Sequence, residues 1–134
     1  MNNKELIALA IRARENAVAT YSDFKVGSVI VTTSGRVFAG CNVENSTYGL
    51  TMCAERIAIF KALSEGERAF AKIVVVADTP QPCYPCGACR QIIWDFAPGA
   101  EVVCANVQGD IEVFKAGELM PHAFGANDLD TTKK

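Results

Sequence analysis

The sequence has a single histidine, no run of lysine or arginine, and no long apolar stretch. Cationic residues are scattered and the net charge is −2, which argues against a surface that follows nucleic-acid phosphates. No apolar run is long enough to cross a bilayer, and the polar start over residues 1–5 lacks the apolar core of a signal peptide. These absences predict a cytoplasmic protein with no nucleic-acid partner and no membrane partner.

The chain also lacks internal repeats, low-complexity segments and linkers. Its 134 residues therefore predict one domain over 1–134, with a polar tail from about residue 128. Apolar residues make up 50% of the sequence and the mean hydropathy is +0.16. This is high for a small monomer, so we expect a buried interface between subunits.

The spacing of apolar residues predicts an α/β fold with a mixed sheet between layers of helices. The predicted elements are a helix over 4–18, strands over 24–33 and 36–42, a helix over 52–65, a strand over 72–77, a helix from 86 or 87 to 96, strands over 101–106 and 111–114, and a short final helix. The strand over 72–77 is apolar throughout, as in a central strand covered on both faces. The helix over 52–65 is apolar around nearly its whole circumference, which predicts that it is buried on all sides.

The six cysteines carry the strongest functional signal. In a reducing compartment they are metal ligands or buried apolar residues rather than disulfides. Cys53 opens the segment Cys53-Ala54-Glu55, and Cys86 and Cys89 belong to Pro85-Cys86-Gly87-Ala88-Cys89. Both segments begin predicted helices, where the positive end of the helix dipole favours thiolate over thiol. We therefore predict that Cys53, Cys86 and Cys89 bind one zinc ion.

Three protein ligands on zinc leave the fourth tetrahedral position to water, whose pKa the metal lowers to about 7. Glu55, two residues after Cys53, is placed to move the protons of that water. Arg56 either donates hydrogen bonds to the ligand sulfurs, offsetting their negative charge, or is a plain surface residue. The sequence leaves both interpretations of Arg56 open.

Two alternatives involve other uses of the same thiols. Cys83 stands three residues before Cys86 and as a fourth ligand would close the site, giving a non-catalytic zinc module. Cys86 and Cys89 by themselves would also fit a thiol oxidoreductase. We prefer the three-cysteine site because Cys83 lies in the predicted loop before the helix that supplies the other two sulfurs.

Asn42 and Glu44 form a second candidate group. In an extended segment, side chains two residues apart lie on the same face, so an amide and a carboxylate are expected side by side. This pair suits vicinal sugar hydroxyls, although such residues at the end of a strand are usually just solvated.

Taken in order, these motifs resemble the cytidine deaminase family, in particular its small, tetrameric, three-cysteine members. The resemblance runs from about residue 8 to 129 and depends on four segments, at 21–27, 40–45, 53–56 and 85–91. It implies a three-layer α-β-α sandwich with a mixed five-stranded sheet. It also implies hydrolytic, zinc-dependent deamination of cytidine and deoxycytidine to uridine and deoxyuridine, with release of ammonia.

The resemblance further implies one Zn(II) per subunit, a nucleoside substrate and a homotetramer with pockets shared between subunits. The implied site residues are the zinc ligands Cys53, Cys86 and Cys89, the proton shuttle Glu55, the sugar-binding Asn42 and Glu44, the pyrimidine-lining Phe24, the backbone N–H of Ala54, and Tyr48 and Phe124 from a neighbouring subunit. A deaminase of a cytosine-nucleoside antibiotic such as blasticidin S shares the zinc motifs and is the alternative. The segment 42–45 and the segment around Phe24 fit an ordinary nucleoside better.

Overall fold

The computed structural model describes residues 1–129, in which five strands form one mixed sheet flanked by helices. The elements are α1 (Asn3–Arg14), β1 (Val26–Thr32), β2 (Val37–Cys41), α2 (Ala54–Ser64), β3 (Phe70–Ala77), α3 (Gly87–Phe96), β4 (Glu101–Asn106), β5 (Ile111–Lys115) and α4 (Ala116–Leu119), with 3-10 turns at Tyr48–Leu50 and Ala126–Leu129. The predicted order of elements is confirmed. Most of the polar tail predicted from residue 128 lies outside the described residues. Within 1–129, every helix is too short or too polar to cross a bilayer.

The strands lie in the order β2-β1-β3-β4-β5, which puts β3 at the centre as predicted. Only β3 and β4 pair in parallel, and the other neighbouring strands run antiparallel. A parallel pair needs a crossover connection, and α3 supplies it between β3 and β4. The loop before α3 therefore starts at the carboxyl end of the central strand.

Alternate residues of β3 divide the core into two halves. Ile73 and Val75 are buried on the face covered by α2 and α3. Val74 and Val76 are buried on the opposite face, against α1. Because side chains alternate between the two faces of a strand, an apolar run fills both halves at once. The predicted three-layer α-β-α arrangement is confirmed.

Helix α1 is shorter than predicted, because it ends at Arg14 rather than at residue 18. Beyond it, the backbone N–H of Asn16 donates to the carbonyl of Ala13, three residues back, which tightens the last turn. Val18 then donates its N–H to the carbonyl of Asn42. Pairing with a distant segment thus replaces the helical periodicity that the sequence suggested.

The prediction that α2 is buried on all sides is wrong for the single chain. The side chain of Phe60 is 36% exposed and Ile57 is only half-buried, since just one side of α2 faces the sheet. The helix begins at Ala54, and the chain leaves it through Gly66, whose φ of +91° is the left-handed geometry expected of a glycine after a helix.

Candidate metal and catalytic site

The three predicted ligand sulfurs come together at the starts of two helices. Cys53 is the N-cap residue of α2, Cys86 is the N-cap residue of α3, and Cys89 is buried in the first turn of α3. Their Sγ atoms all lie within 4.8 Å of one another, and those of Cys53 and Cys86 are 3.7 Å apart. Tetrahedral zinc with Zn–S bonds of about 2.3 Å separates its sulfurs by about 3.8 Å, so this spacing fits zinc.

The local structure leaves these thiols available to a metal. Neither Cys53 nor Cys86 uses its side chain to cap its own helix. A hydrogen bond from the Cys89 thiol lowers the pKa of Cys53, and the same bond raises the pKa of Cys89. Negative charge in the cluster therefore settles first on Cys53. Metal binding must displace the remaining thiol protons, so affinity for the metal depends on pH.

Arg56 contacts this cluster directly. Its Nη2 donates to Sγ of Cys53 at 3.3 Å and to the carbonyl oxygen of Thr51 at 3.4 Å. This is the contact expected by one of the two interpretations of Arg56. A fixed guanidinium beside a thiolate offsets part of the charge that three sulfurs bring to a metal.

Glu55 is the second residue of α2 and only 4% exposed. Burial raises its pKa to about 7, although a hydrogen bond from its own backbone N–H opposes the shift. The repulsion of the Cys53 thiolate adds to the effect of burial. A carboxyl group that gains and loses a proton near neutral pH is suited to general acid–base chemistry.

A cavity of about 170 Å³ opens at the cysteine cluster. The predicted site residues that line it are Phe24, Asn42, Cys53, Ala54, Glu55 and Cys86. Thr51 and Tyr84 also line the cavity, and the sequence analysis missed both. Their only signal in the sequence is that each lies two residues before a predicted ligand.

Cys83 lines the same cavity but lies outside the three-sulfur group. Burial, followed by the repulsion of Glu55 and Cys53, raises the pKa of Cys83 to about 12. Its backbone N–H is held by the carbonyl of Ala105 at 3.0 Å. The position of Cys83 outside the three-sulfur group favours the open, three-thiolate site over a closed one with Cys83 as the fourth ligand.

Asn42 ties the cavity wall together through its carboxamide. Its Oδ1 accepts from the backbone N–H of Val26 at 2.8 Å, and its Nδ2 donates to the carbonyl of Phe24 at 2.7 Å. A carboxamide has two N–H donors and two acceptor lone pairs. One donor and one acceptor site of Asn42 therefore remain for a ligand.

Glu44 lies in an adjoining cavity of about 310 Å³, which shares Thr51 with the first. Its carboxylate accepts from the backbone N–H groups of Tyr21 at 2.9 Å and Ser22 at 3.0 Å, and from the Ser22 hydroxyl. The bond from that hydroxyl is the main reason that the pKa of Glu44 is lowered. Asn42 and Glu44 thus both contact the segment 21–26, and Glu44 is ionised and fixed in place at neutral pH.

Tyr48 and Phe124 are not brought to the cysteine cluster within one chain. Tyr48 is 70% exposed, contacts the Tyr21 ring edge-on at 5.2 Å, and lines the Glu44 cavity. Phe124 is 59% exposed, and its carbonyl accepts from Nε2 of Gln91 at 2.8 Å. Phe124 could therefore reach a substrate at the cysteine cluster only from a second subunit, whereas Tyr48 also borders the Glu44 cavity of its own chain.

Comparison with known proteins gives a consistent picture. Residues 1–106 match the family model for the cytidine and deoxycytidylate deaminase zinc-binding region. The chain is 49% identical to the cytidine deaminase of Halalkalibacterium halodurans over 97% of its own length and 99% of that protein. The crystal structure of cytidine deaminase from Burkholderia pseudomallei superposes with a TM-score of 0.91 at 54% identity, covering 92% of this chain and all of that one.

A blasticidin-S deaminase from Bacillus cereus is also similar, at 32% identity over 86% of this chain and 89% of that protein. The similarity to this antibiotic deaminase is lower, in identity and in coverage, than the similarity to the two proteins named cytidine deaminase.

Proposed function

The chain belongs to the cytidine and deoxycytidylate deaminase family, and we infer that it is a zinc-dependent hydrolase that converts cytidine and water to uridine and ammonia. The observation that carries this inference is the meeting of three metal-binding thiols and a buried carboxyl group in one cavity. Deoxycytidine is the second proposed substrate, as the resemblance to the family implies.

We assign Cys53, Cys86 and Cys89 as the ligands of one zinc ion per chain, a set supported by their sulfur spacing. Bound there, zinc would supply Lewis acidity and lower the pKa of a water molecule to about 7. Arg56, donating to Cys53, would temper the charge of the three thiolates.

Glu55 is the proton shuttle in this proposal. Its raised pKa lets it accept a proton from the water that attacks C4 of the pyrimidine and deliver that proton to N3. It would then take the second water proton, from the hydroxyl now bonded to C4, and pass it to the amine as the C4–N bond breaks. One water is consumed and one ammonia leaves for each turnover. Burial of Glu55 serves the reaction because it raises the pKa of the carboxyl group to about 7, where the group can both accept and release a proton.

The substrate contacts follow from the groups that remain free in the cavities. Ala54 is the first residue of α2, where backbone N–H groups have no partner within the helix, and its N–H suits the pyrimidine carbonyl. Phe24 supplies an aromatic surface to the ring. The spare donor of Asn42 and the fixed carboxylate of Glu44 suit the sugar hydroxyls.

The size of the cavity supports a site shared between subunits. Its volume of about 170 Å³ is below the roughly 300–1,000 Å³ typical of pockets that enclose a whole ligand. The base would fill this cavity while the sugar extends toward Glu44. Tyr48 and Phe124 of a neighbouring subunit would cover it, in a homotetramer that also covers the exposed Phe60.

We further propose a cytoplasmic location and a single domain over residues 1–134. Six unpaired cysteines suit a reducing compartment, which keeps the proposed ligands from forming disulfides. One sheet built from segments between residues 26 and 115 supports the single domain.

The test is a measurement of zinc per chain together with the loss of cytidine absorbance on mixing with the protein. We expect about one zinc per chain and conversion of cytidine to uridine with stoichiometric ammonia. Blasticidin S is the matched control substrate, since its turnover in place of cytidine would favour the antibiotic deaminase. Tight zinc without turnover of either would favour the non-catalytic zinc module, and absence of zinc would leave thiol oxidoreduction by Cys86 and Cys89 as the alternative.

A further inference from the structure

Tyr84 occupies a position that the proposed mechanism does not use. It lies in the loop between β3 and α3, two residues before Cys86. Tyr84 lines the same cavity as Glu55 and Cys53. At 39% exposure Tyr84 is partly open to solvent, in contrast to Glu55, which is only 4% exposed.

The ring is held from outside the cavity by β5. The Tyr84 hydroxyl donates to Oε1 of Glu112 at 2.5 Å, and its ring meets that of Phe114 edge-on with centroids 6.1 Å apart. Glu112 and Phe114 are two residues apart on β5, so their side chains share one face of the strand. Neither residue lines the cavity. Their contacts with Tyr84 fix the direction of its ring.

A second aromatic ring, Phe24, lines the cavity from a segment remote in sequence. Its backbone is fixed from both sides, since its N–H donates to the Ser22 hydroxyl at 3.0 Å and its carbonyl accepts from Asn42. Two aromatic residues, one anchored through its ring and the other through its backbone, favour a flat, conjugated ligand, because aromatic contacts reward planar surfaces at a defined orientation. An anchored ring also loses little conformational entropy when the ligand arrives.

We propose that Tyr84 is a substrate-contacting residue that sets affinity for the pyrimidine ring, and that Glu112 is the positioning residue that holds it. This inference rests on the deaminase function proposed above. It predicts a contact made equally to the substrate, the product and the transition state, so that loss of the contact raises KM and leaves kcat nearly unchanged.

The experiment compares Tyr84→Ala, Tyr84→Phe, Glu112→Ala and Glu112→Gln in the zinc-loaded protein. For Tyr84→Ala we expect KM for cytidine and Kd for uridine to rise about tenfold, with kcat changed less than about twofold and zinc content unchanged. Tyr84→Phe and Glu112→Ala each remove only the hydrogen bond that anchors the ring. Both should raise KM for cytidine and Kd for uridine by a similar factor, which is smaller than the factor expected for Tyr84→Ala. Glu112→Gln keeps an acceptor and should restore near-normal values.

A double-mutant cycle separates anchoring from general damage. Tyr84→Phe combined with Glu112→Ala should be no worse than either alone, because both remove the same hydrogen bond. Glu101→Ala is the matched control, because it removes a carboxylate of the neighbouring strand β4 whose ion pair with Lys72, at 3.7 Å, lies outside the cavity. Its KM for cytidine and Kd for uridine should equal those of the parent protein.

The outcomes against the proposal are distinct from failure of the proposed function. An active parent protein whose Tyr84→Ala variant keeps its KM and its Kd for uridine would overturn the role of Tyr84 alone. The role of Tyr84 in substrate binding would also be overturned if the Tyr84→Ala variant lost zinc, or if its kcat fell without a change in KM. Either result would mean that Tyr84 supports the loop that carries Cys86. A parent protein that neither converts cytidine nor binds uridine would overturn both.

Discussion

Gly40 of β2 lies against the carbonyl oxygen of Ala54 in the first turn of α2. A Cβ added at Gly40 would come within 2.7 Å of that oxygen and 2.7 Å of the Ala58 nitrogen. Both atoms belong to the helix backbone, which has little freedom to move. Because Gly40 has no side chain, α2 can pack closely against β2. This close packing sets the position of the helix that carries Glu55.

Gly40→Ala should lower the free energy of unfolding by about 1–3 kcal/mol, because overpacking in a close contact forces backbone shifts. Zinc content should fall as well, because the displaced backbone belongs to the first turn of α2, directly after the proposed ligand Cys53. Gly99→Ala is the matched control, as a Cβ there meets no atom within 4 Å. Urea unfolding and metal analysis of both variants measure the difference, and equal stabilities would contradict the proposed role of the contact.

Glu55→Gln should retain zinc and the fold while kcat falls by about 100- to 10,000-fold, the usual contribution of a positioned acid–base group. Glutamine has nearly the same shape but cannot accept the proton of water. Steady-state rates with cytidine, zinc analysis and thermal unfolding of the variant give the answer. Turnover close to that of the parent protein would remove Glu55 from the mechanism.

Cys83→Ser should leave both zinc content and activity nearly intact, because the Cys83 thiol lies outside the three-sulfur group. Cys86→Ser is the matched substitution in the proposed ligand set, and it should lose zinc and activity together. Metal analysis of the two purified variants compares them directly. Loss of zinc from the Cys83 variant would show that the site is closed by a fourth sulfur.

Activity should depend on assembly. Dilution to the point of dissociation should abolish cytidine turnover, and Phe124→Ala should reduce it without changing zinc content, since the 59% exposed ring has no part in the cavity of its own chain. Sedimentation and activity across one dilution series test the first expectation. Zinc analysis and steady-state rates of the Phe124 variant test the second. A dilute, fully active monomer would be incompatible with a shared pocket.

Much of the fold follows from local sequence. The side chain of Asn2 accepts a hydrogen bond from the backbone N–H of Glu5 at 2.9 Å and so caps the start of α1, a local interaction between residues three positions apart. The apolar run over 72–77 is the core of the central strand β3, and Cys53 and Cys86 occupy the N-cap positions from which their thiols meet. These features were predictable because capping, periodicity and helix starts depend on residues only a few positions apart.

What the sequence could not supply were pairings between distant segments. The end of α1 depends on Val18 pairing with the segment that holds Val43. The fixed carboxylate of Glu44 depends on Ser22, and the direction of the Tyr84 ring depends on Glu112, 28 residues away. The residue types and their order thus determined the zinc motif and the two faces of the sheet. Tertiary structure alone decided that Thr51 and Tyr84 join the predicted residues in lining the cavity, because no local pattern records which remote partner a residue meets.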